Sequence, residues 1–240
     1  MRSLPVIGII GDLKEVAGMP YHAYGDKYVR AVTEFCSAQP VGLFPPFIPG
    51  MLHLVDGLLF TGSASNIRPE RWGGPADAPG PFDEVRDNFS FPLIQAAIEQ
   101  NIPSLFICRG YQELNVALDG TLLPDLGEAH HAPSDLVYEE RYAPFHRIEL
   151  REGSPLERVF GTTSLEVNSL HYQALDLIAP SLSVEARAAD GVPEIVMHRD
   201  HPFAVGVQWH CEYRPDLYAH HEKLLNAFGK AAHERRRENR

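Results

Sequence analysis

Several residue types are scarce in this 240-residue chain, and each shortage argues against a class of protein. The three cysteines are widely spaced and odd in number, so they form neither a disulfide framework nor the ligand spacing of a zinc site. No apolar run approaches the roughly 20 residues that a helix needs to span a bilayer. Lys and Arg number 21 against 32 Asp and Glu, and the net charge of -11 argues against a nucleic-acid-binding protein.

The composition is otherwise that of an ordinary globular protein. Hydrophobic residues make up 44% and charged residues 22% of the chain, without internal repeats or a linker. We therefore expect one domain over residues 1–240 with a sizeable core. Residues 1–5 lead directly into a strand-like run and do not resemble a secretory signal, so we expect a protein of the reducing cytoplasm. The basic tail 233–240 has the composition of a frayed, solvated helix end.

The first hundred residues alternate between apolar runs and helical patterns. Runs typical of buried parallel strands occur at residues 5–11, 41–45 and 55–60. Helical patterns occur at residues 26–39 and 83–100, and the first part of the second is open to a break at Pro92. A loop dense in proline and glycine continues to about residue 81, a length typical of functional loops. Such alternation predicts βαβ units in a parallel sheet.

After residue 122 the pattern changes. Residues 127–144 are polar and weakly periodic. Short strands without a long helix between them are predicted at residues 147–150, 165–167, 183–188 and 194–197. This spacing favours an antiparallel or mixed extension of the sheet. A buried strand at residues 204–209 and an amphipathic helix at residues 215–232 close the chain.

The segment S-L-F-I-C-R-G at residues 104–110 is central to the chain. Residues 104–107 predict a short buried strand, Gly110 permits a sharp turn, and residues 111–118 predict a helix. Cys108 then lies at a helix N-terminus, where the helix dipole and unpaired N–H groups favour the nucleophilic thiolate. A strand–turn–helix elbow presents the nucleophile in many hydrolases. Taken alone, the segment is also consistent with a buried cysteine that ends a core strand.

A second group of reactive residue types follows the strand at residues 204–209. His210 and Glu212 are two residues apart, so an extended backbone would put both side chains on one face. The Glu212 carboxylate could then hold one nitrogen of the imidazole while the other nitrogen reaches Cys108. Sites in parallel α/β sheets form at the carboxyl ends of the strands. The sequence therefore offers a nucleophile, a base and an orienting group together.

Four segments of the chain are similar to those of one enzyme family. They read T-G-S-A-S-N at residues 61–66, I-C-R-G-Y-Q-E at 107–113, N-S-L-H-Y-Q at 168–173 and G-V-Q-W-H-C-E at 206–212. Their conjunction resembles the class I glutamine amidotransferase-like hydrolases, which use a Cys-His-Glu triad. Within these, the chain more closely resembles the stand-alone γ-glutamyl-γ-aminobutyrate hydrolases of polyamine breakdown, in peptidase family C26. The resemblance implies a three-layer α/β/α sandwich with a mostly parallel central sheet and a small antiparallel extension.

The resemblance also implies roles for individual residues. The triad would be Cys108 as nucleophile, His210 as general base and then acid, and Glu212 as orienting group. The oxyanion hole would use one backbone N–H from the turn at Gly62 and Ser63 and one from Arg109. The γ-glutamyl head group would be received by Gln112, Asn168, Ser169 and His171. Without the resemblance, Gln112 could equally be a solvated helix residue and His171 a structural histidine.

Two positions depart from the family pattern. Cys211 stands between His210 and Glu212, where the family usually carries proline, so the backbone there is less constrained. Phe106 stands two residues before Cys108, where the family often carries glycine. Neither departure removes a reacting group.

The implied substrate is a γ-glutamyl amide, and γ-glutamyl-γ-aminobutyrate ranks first on the resemblance. The amine half would lie in a cleft walled by residues 66–81 and 127–144. Cationic and aromatic residues of these segments that suit a carboxylate are Arg68, Arg71, Trp72, His130, His131, Arg141 and Tyr142. A cationic γ-glutamyl-polyamine would instead prefer the acidic residues Glu70, Asp77, Glu139 and Glu140.

Two other functions stay open on the sequence. A glutaminase subunit that supplies ammonia to a synthase would share the triad, and a catalytically silent binding protein would share the fold. No ligand spacing supports a metal site despite the 12 histidines, and His130 and His131 are expected to be polar loop residues. We expect no cofactor and no nucleic-acid or membrane partner, and the sequence is compatible with a homodimer.

Overall fold

The structure is a computed structural model that describes residues 4–45 and 49–239. Residues 1–3 of the predicted N-terminal run and Arg240 of the predicted tail lie outside the described residues. The strands are β1 (Val6–Ile10), β2 (Asp12–Val16), β3 (Met19–Ala23), β4 (Gln39–Leu43), β5 (Gly57–Phe60), β6 (Ser104–Ile107), β7 (Leu122–Leu123), β8 (His146–Leu150), β9 (Ser164–Val167), β10 (Ala174–Leu175), β11 (Leu182–Ala188), β12 (Pro193–His198) and β13 (Ala204–Val207).

Helices separate the strands of the first half and end the chain. They are α1 (Asp26–Arg30), which continues as a π-helical segment (Ala31–Phe35), α2 (Glu84–Glu99), α3 (Arg109–Ala117), α4 (Tyr138–Arg141), α5 (Leu156–Phe160) and α6 (Ala219–Glu238). Short 3₁₀ turns occupy Pro49–Leu54, Pro69–Arg71 and Gly127–His130. None of the described helices is long and apolar enough to cross a lipid bilayer.

A nine-stranded sheet forms the centre of the molecule. Its strand order is β4-β1-β5-β6-β13-β12-β11-β8-β9. The pairs from β4 to β13 are parallel, and those from β13 to β9 are antiparallel. The predicted α/β class with an antiparallel extension is confirmed.

Side chains alternate between the two faces of the sheet and form a core on each. On β6, Leu105 and Ile107 join the core that includes Phe228 of α6, whereas Phe106 joins the opposite core. Helices α2 and α3 cover that second face, where Tyr111 and Leu114 of α3 are fully buried. Because β6 is buried on both faces, its apolar residues form a continuous run. The predicted three-layer arrangement is confirmed.

Helix α2 runs through Pro92, so the predicted break at that residue is wrong. A proline removes one backbone hydrogen bond and crowds the preceding turn. Phe91, Leu93 and Ile94 beside it are buried in the core, and this packing favours a continuous helix.

Helix α6 begins and ends later than the predicted range 215–232. The prediction that the tail is frayed is wrong for the described part, because the helix continues to Glu238. His233 contacts the carbonyl of Ser37, and Arg235 donates to the carbonyl of Gln100 at 3.0 Å. Arg236 forms a 2.8 Å ion pair with Asp56. These contacts hold the end of the helix against the bottom of the sheet.

The hairpin of β2 and β3 has no counterpart among the predicted elements. Its two-residue turn consists of Ala17 and Gly18, which have φ angles of 52° and 78°. Positive φ at both positions is the geometry of tight hairpin turns, where Asn-Gly is the usual sequence. Alanine at the first position hides this signal. The hairpin extends beyond the carboxyl end of β1 and forms one wall of the cleft described below.

Candidate active site

Cys108 occupies a strained turn between β6 and α3. Its backbone has φ 52° and ψ -103°, and α3 begins at the next residue. A non-glycine residue in such a conformation costs about 1–3 kcal/mol and persists only where its surroundings enforce it. Here the Cys108 N–H donates to the carbonyl of Val207 on β13 at 2.9 Å. The predicted strand–turn–helix elbow is confirmed.

Gly110 lets α3 leave this turn in close contact with β5. A side-chain carbon at this position would lie 2.6 Å from the carbonyl oxygen of Phe60. Only glycine avoids that clash. The close approach sets the position of Cys108 relative to the loop that follows β5.

His210 and Glu212 meet just beyond β13. The strand ends at Val207, two residues earlier than predicted, so the pair lies on irregular backbone rather than on a strand. The two side chains still converge, with Nδ1 of His210 2.7 Å from Oε1 of Glu212. Because Val207 pairs with Ile107 in parallel register, the ends of β13 and β6 lie side by side and bring His210 to Cys108.

The charges around His210 favour its protonated form. Burial by itself lowers the pKa of this histidine, but the Glu212 carboxylate outweighs burial and Cys108 adds to its effect. The pKa of His210 is raised to about 9. The geometry therefore favours an imidazolium beside the Cys108 sulfur at neutral pH.

Lys27 at the start of α1 completes this charge cluster and was not among the predicted site residues. Its Nζ lies 2.8 Å from Oε1 of Glu212 and donates to the hydroxyl of Tyr142 at 3.0 Å. Burial alone would raise the pKa of Glu212, but Lys27 and then His210 outweigh it and hold that pKa well below its usual range. The sequence hid this contact because about 185 residues lie between the partners.

Asn168 holds the backbone of His210 from both sides. Its Oδ1 accepts from the N–H of His210 at 2.8 Å, and its Nδ2 donates to the carbonyl of His210 at 3.1 Å. This clamp constrains the position of His210 independently of residue 211, where Cys211 replaces the family's proline. Burial raises the pKa of the Cys211 thiol well above its usual value, which makes that thiol unreactive.

The loop after β5 closes over the cysteine and histidine. A side-chain carbon at Gly62 would lie 2.6 Å from Cε1 of His210 and 3.2 Å from Cβ of Cys108, so only glycine fits there. The N–H of Gly62 donates to the hydroxyl of Tyr28 at 2.9 Å. Among the described residues, the backbone N–H groups of Ser63 and Arg109 have no hydrogen-bond acceptor.

A cleft of about 460 Å³ opens above these groups. Cys108, Arg109 and His210 lie at its floor, and Ser63 and Asn66 at its side. Gln112 and His171 of the predicted head-group residues line it, whereas Asn168 and Ser169 are buried outside its lining. Substrate contact by Asn168 and Ser169 stays a prediction that no feature of this cleft supports.

The walls expected for the amine half are present only in part. Asn66, His131, Arg141 and Tyr142 line the cleft, and the unpredicted hairpin adds Asp12 and Lys14. The other expected residues lie elsewhere. Trp72 is buried in the core, Arg68 pairs with Glu84 and Arg71 stacks on Phe91. His130 is buried at 3% exposure, so its expected place as a polar loop residue is wrong.

The chain is similar to proteins of one family over most of its length. The peptidase C26 family model matches residues 5–212. The chain is also 37% identical to the γ-glutamyl-γ-aminobutyrate hydrolase of Escherichia coli K12 over 236 residues, which covers 93% of this chain and 92% of that protein. The chain belongs to the peptidase C26 family.

Solved structures show the same fold at lower identity. A glutamine amidotransferase from Thermotoga maritima superimposes with a TM-score of 0.60 at 16% identity, covering 98% of each chain. A glutamine amidotransferase from Methylobacillus flagellatus has a TM-score of 0.59 at 18% identity, covering 99% of this chain and 95% of the other. Membership in the peptidase C26 family makes this protein a hydrolase of amide bonds.

In this peptidase C26 chain, a buried ion-pair network supports the elbow from below. Both Nε and Nη2 of Arg86 donate to the carboxylate of Glu113 at 2.9 Å, and Arg86 also pairs with Asp12. Arg109 pairs with Glu113 and with Asp87, and its Nε donates to the carbonyl of Ser65 at 3.0 Å. The network joins α2, α3 and the loop after β5. Arg109 is thus fully engaged through its side chain and can reach the cleft only through its backbone.

Proposed function

We propose that this protein hydrolyses γ-glutamyl-γ-aminobutyrate through a Cys108–His210–Glu212 triad and a γ-glutamyl thioester. The 2.7 Å contact between His210 and Glu212, beside a cysteine at a strained elbow, carries the proposal. The 37% identity to the Escherichia coli γ-glutamyl-γ-aminobutyrate hydrolase over nearly the whole chain supports the substrate.

The reaction would begin with attack of the Cys108 thiolate on the carbonyl carbon of the γ-glutamyl amide. The negative charge that develops on the carbonyl oxygen would be stabilised by backbone N–H groups. Those of Ser63 and Arg109 are the candidates, because the N–H of Gly62 donates to Tyr28. His210, protonated at neutral pH, would pass its proton to the amine as the C–N bond breaks.

A water molecule would complete the turnover. His210, now neutral, would accept a proton from this water, whose oxygen attacks the thioester carbonyl carbon. The C–S bond breaks, glutamate leaves, and the thiolate–imidazolium pair is restored. Glu212 and Lys27 keep the imidazole oriented throughout and exchange no proton.

Gln112 is suited to the γ-glutamyl head group. Its Nε2 donates to the carbonyl of Gln173 at 3.0 Å and to Oε1 of Gln208 at 3.1 Å. With both N–H groups used, Oε1 is the atom left for the cleft, and it can accept from the α-amino group of the substrate. The nitrogens of His171 face other groups, since Nδ1 lies 2.9 Å from the carbonyl of Gln173 and Nε2 lies 3.6 Å from Oε1 of Glu194.

The charges of the cleft favour a leaving group that carries a carboxylate. Arg141 lines the cleft, and its Nε is buried without a hydrogen-bond partner among the described residues. Lys14 lies on the opposite hairpin. Asp12 is the acidic member of the described lining, and it already pairs with Arg86 and Lys14. A γ-aminobutyrate carboxylate therefore fits this cleft better than a polyamine cation.

A panel of γ-glutamyl amides compared by kcat/KM tests the proposal. The panel consists of γ-glutamyl-γ-aminobutyrate, its neutral analogue γ-glutamyl-butylamide, γ-glutamyl-putrescine and glutamine. We expect the first to be preferred over the neutral analogue, and Arg141→Ala to remove that preference with little effect on the analogue itself. Arg68 lies outside the cleft, so Arg68→Ala is the control and should keep the preference for the substrate with a carboxylate. Good turnover of glutamine alone would contradict the proposal and favour an ammonia-supplying glutaminase.

A further inference from the structure

Three histidines surround one buried carboxylate in the antiparallel half of the sheet. Glu194 on β12 is fully buried, and its Oε1 lies 3.6 Å from Nδ1 of His130, 3.5 Å from Nε2 of His146 and 3.6 Å from Nε2 of His171. His130 ends a 3₁₀ turn, His146 begins β8 and His171 follows β9. Four segments that are distant in the chain therefore converge on one point.

These contacts are too long for hydrogen bonds. An N–H···O bond has a donor–acceptor distance of about 2.7–3.2 Å. The three ring nitrogens and both oxygens of Glu194 are buried and have no hydrogen-bond partner among the described residues. An unsatisfied buried polar atom costs about 1–3 kcal/mol. Five such atoms around one point therefore indicate a partner that several of them share.

The other nitrogens of two of the rings determine which atoms face Glu194. Nε2 of His130 lies 2.7 Å from a carboxylate oxygen of Asp190, which can only accept, so Nε2 carries a proton. Nδ1 of His171 lies 2.9 Å from the carbonyl of Gln173 and carries a proton for the same reason. In the neutral rings, the lone pairs of His130 Nδ1 and His171 Nε2 then point toward the Glu194 anion. Such an arrangement is repulsive unless a cation lies between them.

We propose that His130, His146 and Glu194 bind a structural Zn²⁺ ion, with His171 beside the site on the other side of Glu194. Metal–ligand distances of about 2.0–2.2 Å in a tetrahedron place the ligand atoms about 3.3–3.6 Å apart, the separation found between Glu194 and each ring. The ligand atoms of His130, His146 and Glu194 all lie within 4.8 Å of one another. Imidazoles with one carboxylate suit zinc.

The surroundings of His130 match those of a metal-binding histidine. Histidine ligands almost always donate their second N–H to a carboxylate or a backbone carbonyl, as His130 does to Asp190.

None of the three ligands belongs to the proposed triad, and all three lie in the antiparallel half of the molecule, so the role of the metal would be structural. It would tie the segment that carries His130 and His131 to β8 and β12. That segment forms one wall of the cleft. The site would thereby hold this wall of the cleft in place without taking part in the reaction at Cys108. The alternative occupant of the cluster is a proton on one or more of the rings.

Metal content of the purified full-length chain, expressed without a histidine tag, is the first test. We expect about one Zn²⁺ per chain by mass spectrometry after extensive dialysis. Glu194→Gln and His146→Asn should lose the metal, and Cys108→Ala should retain it. His198→Asn, a histidine on the same strand outside the cluster, is the matched control. Equal, substoichiometric zinc in the native chain and Glu194→Gln would overturn the proposal.

A second measurement covers the case in which the ligand variants fail to fold. Co²⁺ added to the native chain freed of metal should produce the visible absorption of a tetrahedral nitrogen–oxygen site. A strong chelator should lower the Tm of the native chain, and zinc should restore it, because a ligand bound only to the folded state stabilises that state. A Tm unaffected by chelator, with no cobalt spectrum, would assign the cluster to protonated imidazoles instead.

The substitution Asp190→Asn further distinguishes a bound metal ion from protonated imidazole rings. The Asp190 side chain is half exposed, so its substitution does not threaten the fold. Loss of such a supporting carboxylate lowers metal affinity by about 10–100-fold, which competition with a chelating dye measures. Unchanged affinity would count against ligation by His130. None of these readouts depends on the substrate, so the metal site and the proposed hydrolase activity can fail independently.

Discussion

Cys108 combines a strained backbone with a position at the end of β6, where its N–H bonds to the neighbouring strand β13. The turn presents its sulfur at the floor of the cleft, and the ion-pair network and Gly110 hold that turn in place. The elbow needs this support because the positive φ of Cys108 would otherwise relax. The strain is thus a property of one residue that the surrounding packing maintains.

Replacing the Cys108 sulfur tests its assigned role. Cys108→Ala should abolish turnover of γ-glutamyl-γ-aminobutyrate, because no other described group at the cleft floor can form the thioester. Substrate binding should stay close to native, which calorimetric titration of the inactive variant would measure. Cys36→Ala, at a buried cysteine in the core, serves as control and should keep kcat per folded molecule. Residual turnover in Cys108→Ala would exclude the thioester route.

The substitution Glu212→Gln removes the negative charge that raises the pKa of His210. The carboxylate of Glu212 raises this pKa to about 9, so the variant should have a lower His210 pKa, with the positive charge of Lys27 now unopposed. The imidazolium is present below its pKa, and the alkaline limb of the kcat/KM profile should therefore shift to lower pH. We expect a smaller loss of kcat than in Cys108→Ala, since Glu212 orients and transfers no proton. An unshifted alkaline limb would show that Glu212 does not control this group.

Helix α6 owes its last turns to tertiary contacts. Basic residues there suit the negative end of the helix dipole, but they also reach across to carbonyl groups and a carboxylate of the sheet. A composition rich in arginine indicates solvent exposure when it is considered alone. In the fold these side chains have fixed partners just before β5 and β6.

Removal of residues 233–240 measures this anchoring. The truncated chain should lose the contacts of His233, Arg235 and Arg236, and its free energy of unfolding should fall by about 1–3 kcal/mol. Urea denaturation of the truncated and full chains provides the comparison. Lys230→Ala, which removes an exposed side chain on the same helix, should change stability little. Equal stability of the two chains would return the tail to a solvated, frayed end.

The buried network of Arg86, Asp12, Glu113, Arg109 and Asp87 links separate layers of the molecule. Its members come from the hairpin, from α2 and from α3. Paired buried charges are weak evidence for net stability, but removing one partner leaves another uncompensated. The network therefore makes the elbow, the hairpin wall and α2 interdependent.

A matched pair of Glu→Gln substitutions tests that interdependence. Glu113→Gln leaves Arg86 with a weaker partner in a fully buried position and should cost about 3–5 kcal/mol. Glu34→Gln breaks the exposed Arg30–Glu34 pair and should cost at most about 0.5 kcal/mol. Urea unfolding of both variants gives the two values. Equal small losses would mean that the buried network does not support the fold.

Local patterns in the sequence were sufficient for the parts of the site that depend on short stretches of chain. The elbow at Cys108 follows from a four-residue apolar run, a glycine and a helical pattern. The His210–Glu212 pair follows from a spacing of two. Most strands of the central sheet were predicted within two residues of their observed ends, because burial on both faces leaves a continuous apolar run.

Long-range packing determined the rest. Lys27 beside Glu212, the amide of Asn168 on His210, and the three histidines around Glu194 unite residues that no local period connects. The hairpin carrying Lys14 was missed because alanine occupies the first turn position, and the end of α6 was misjudged because its partners are distant. Contacts of this kind depend on how the elements pack across the sheet, which period and spacing along one chain do not encode.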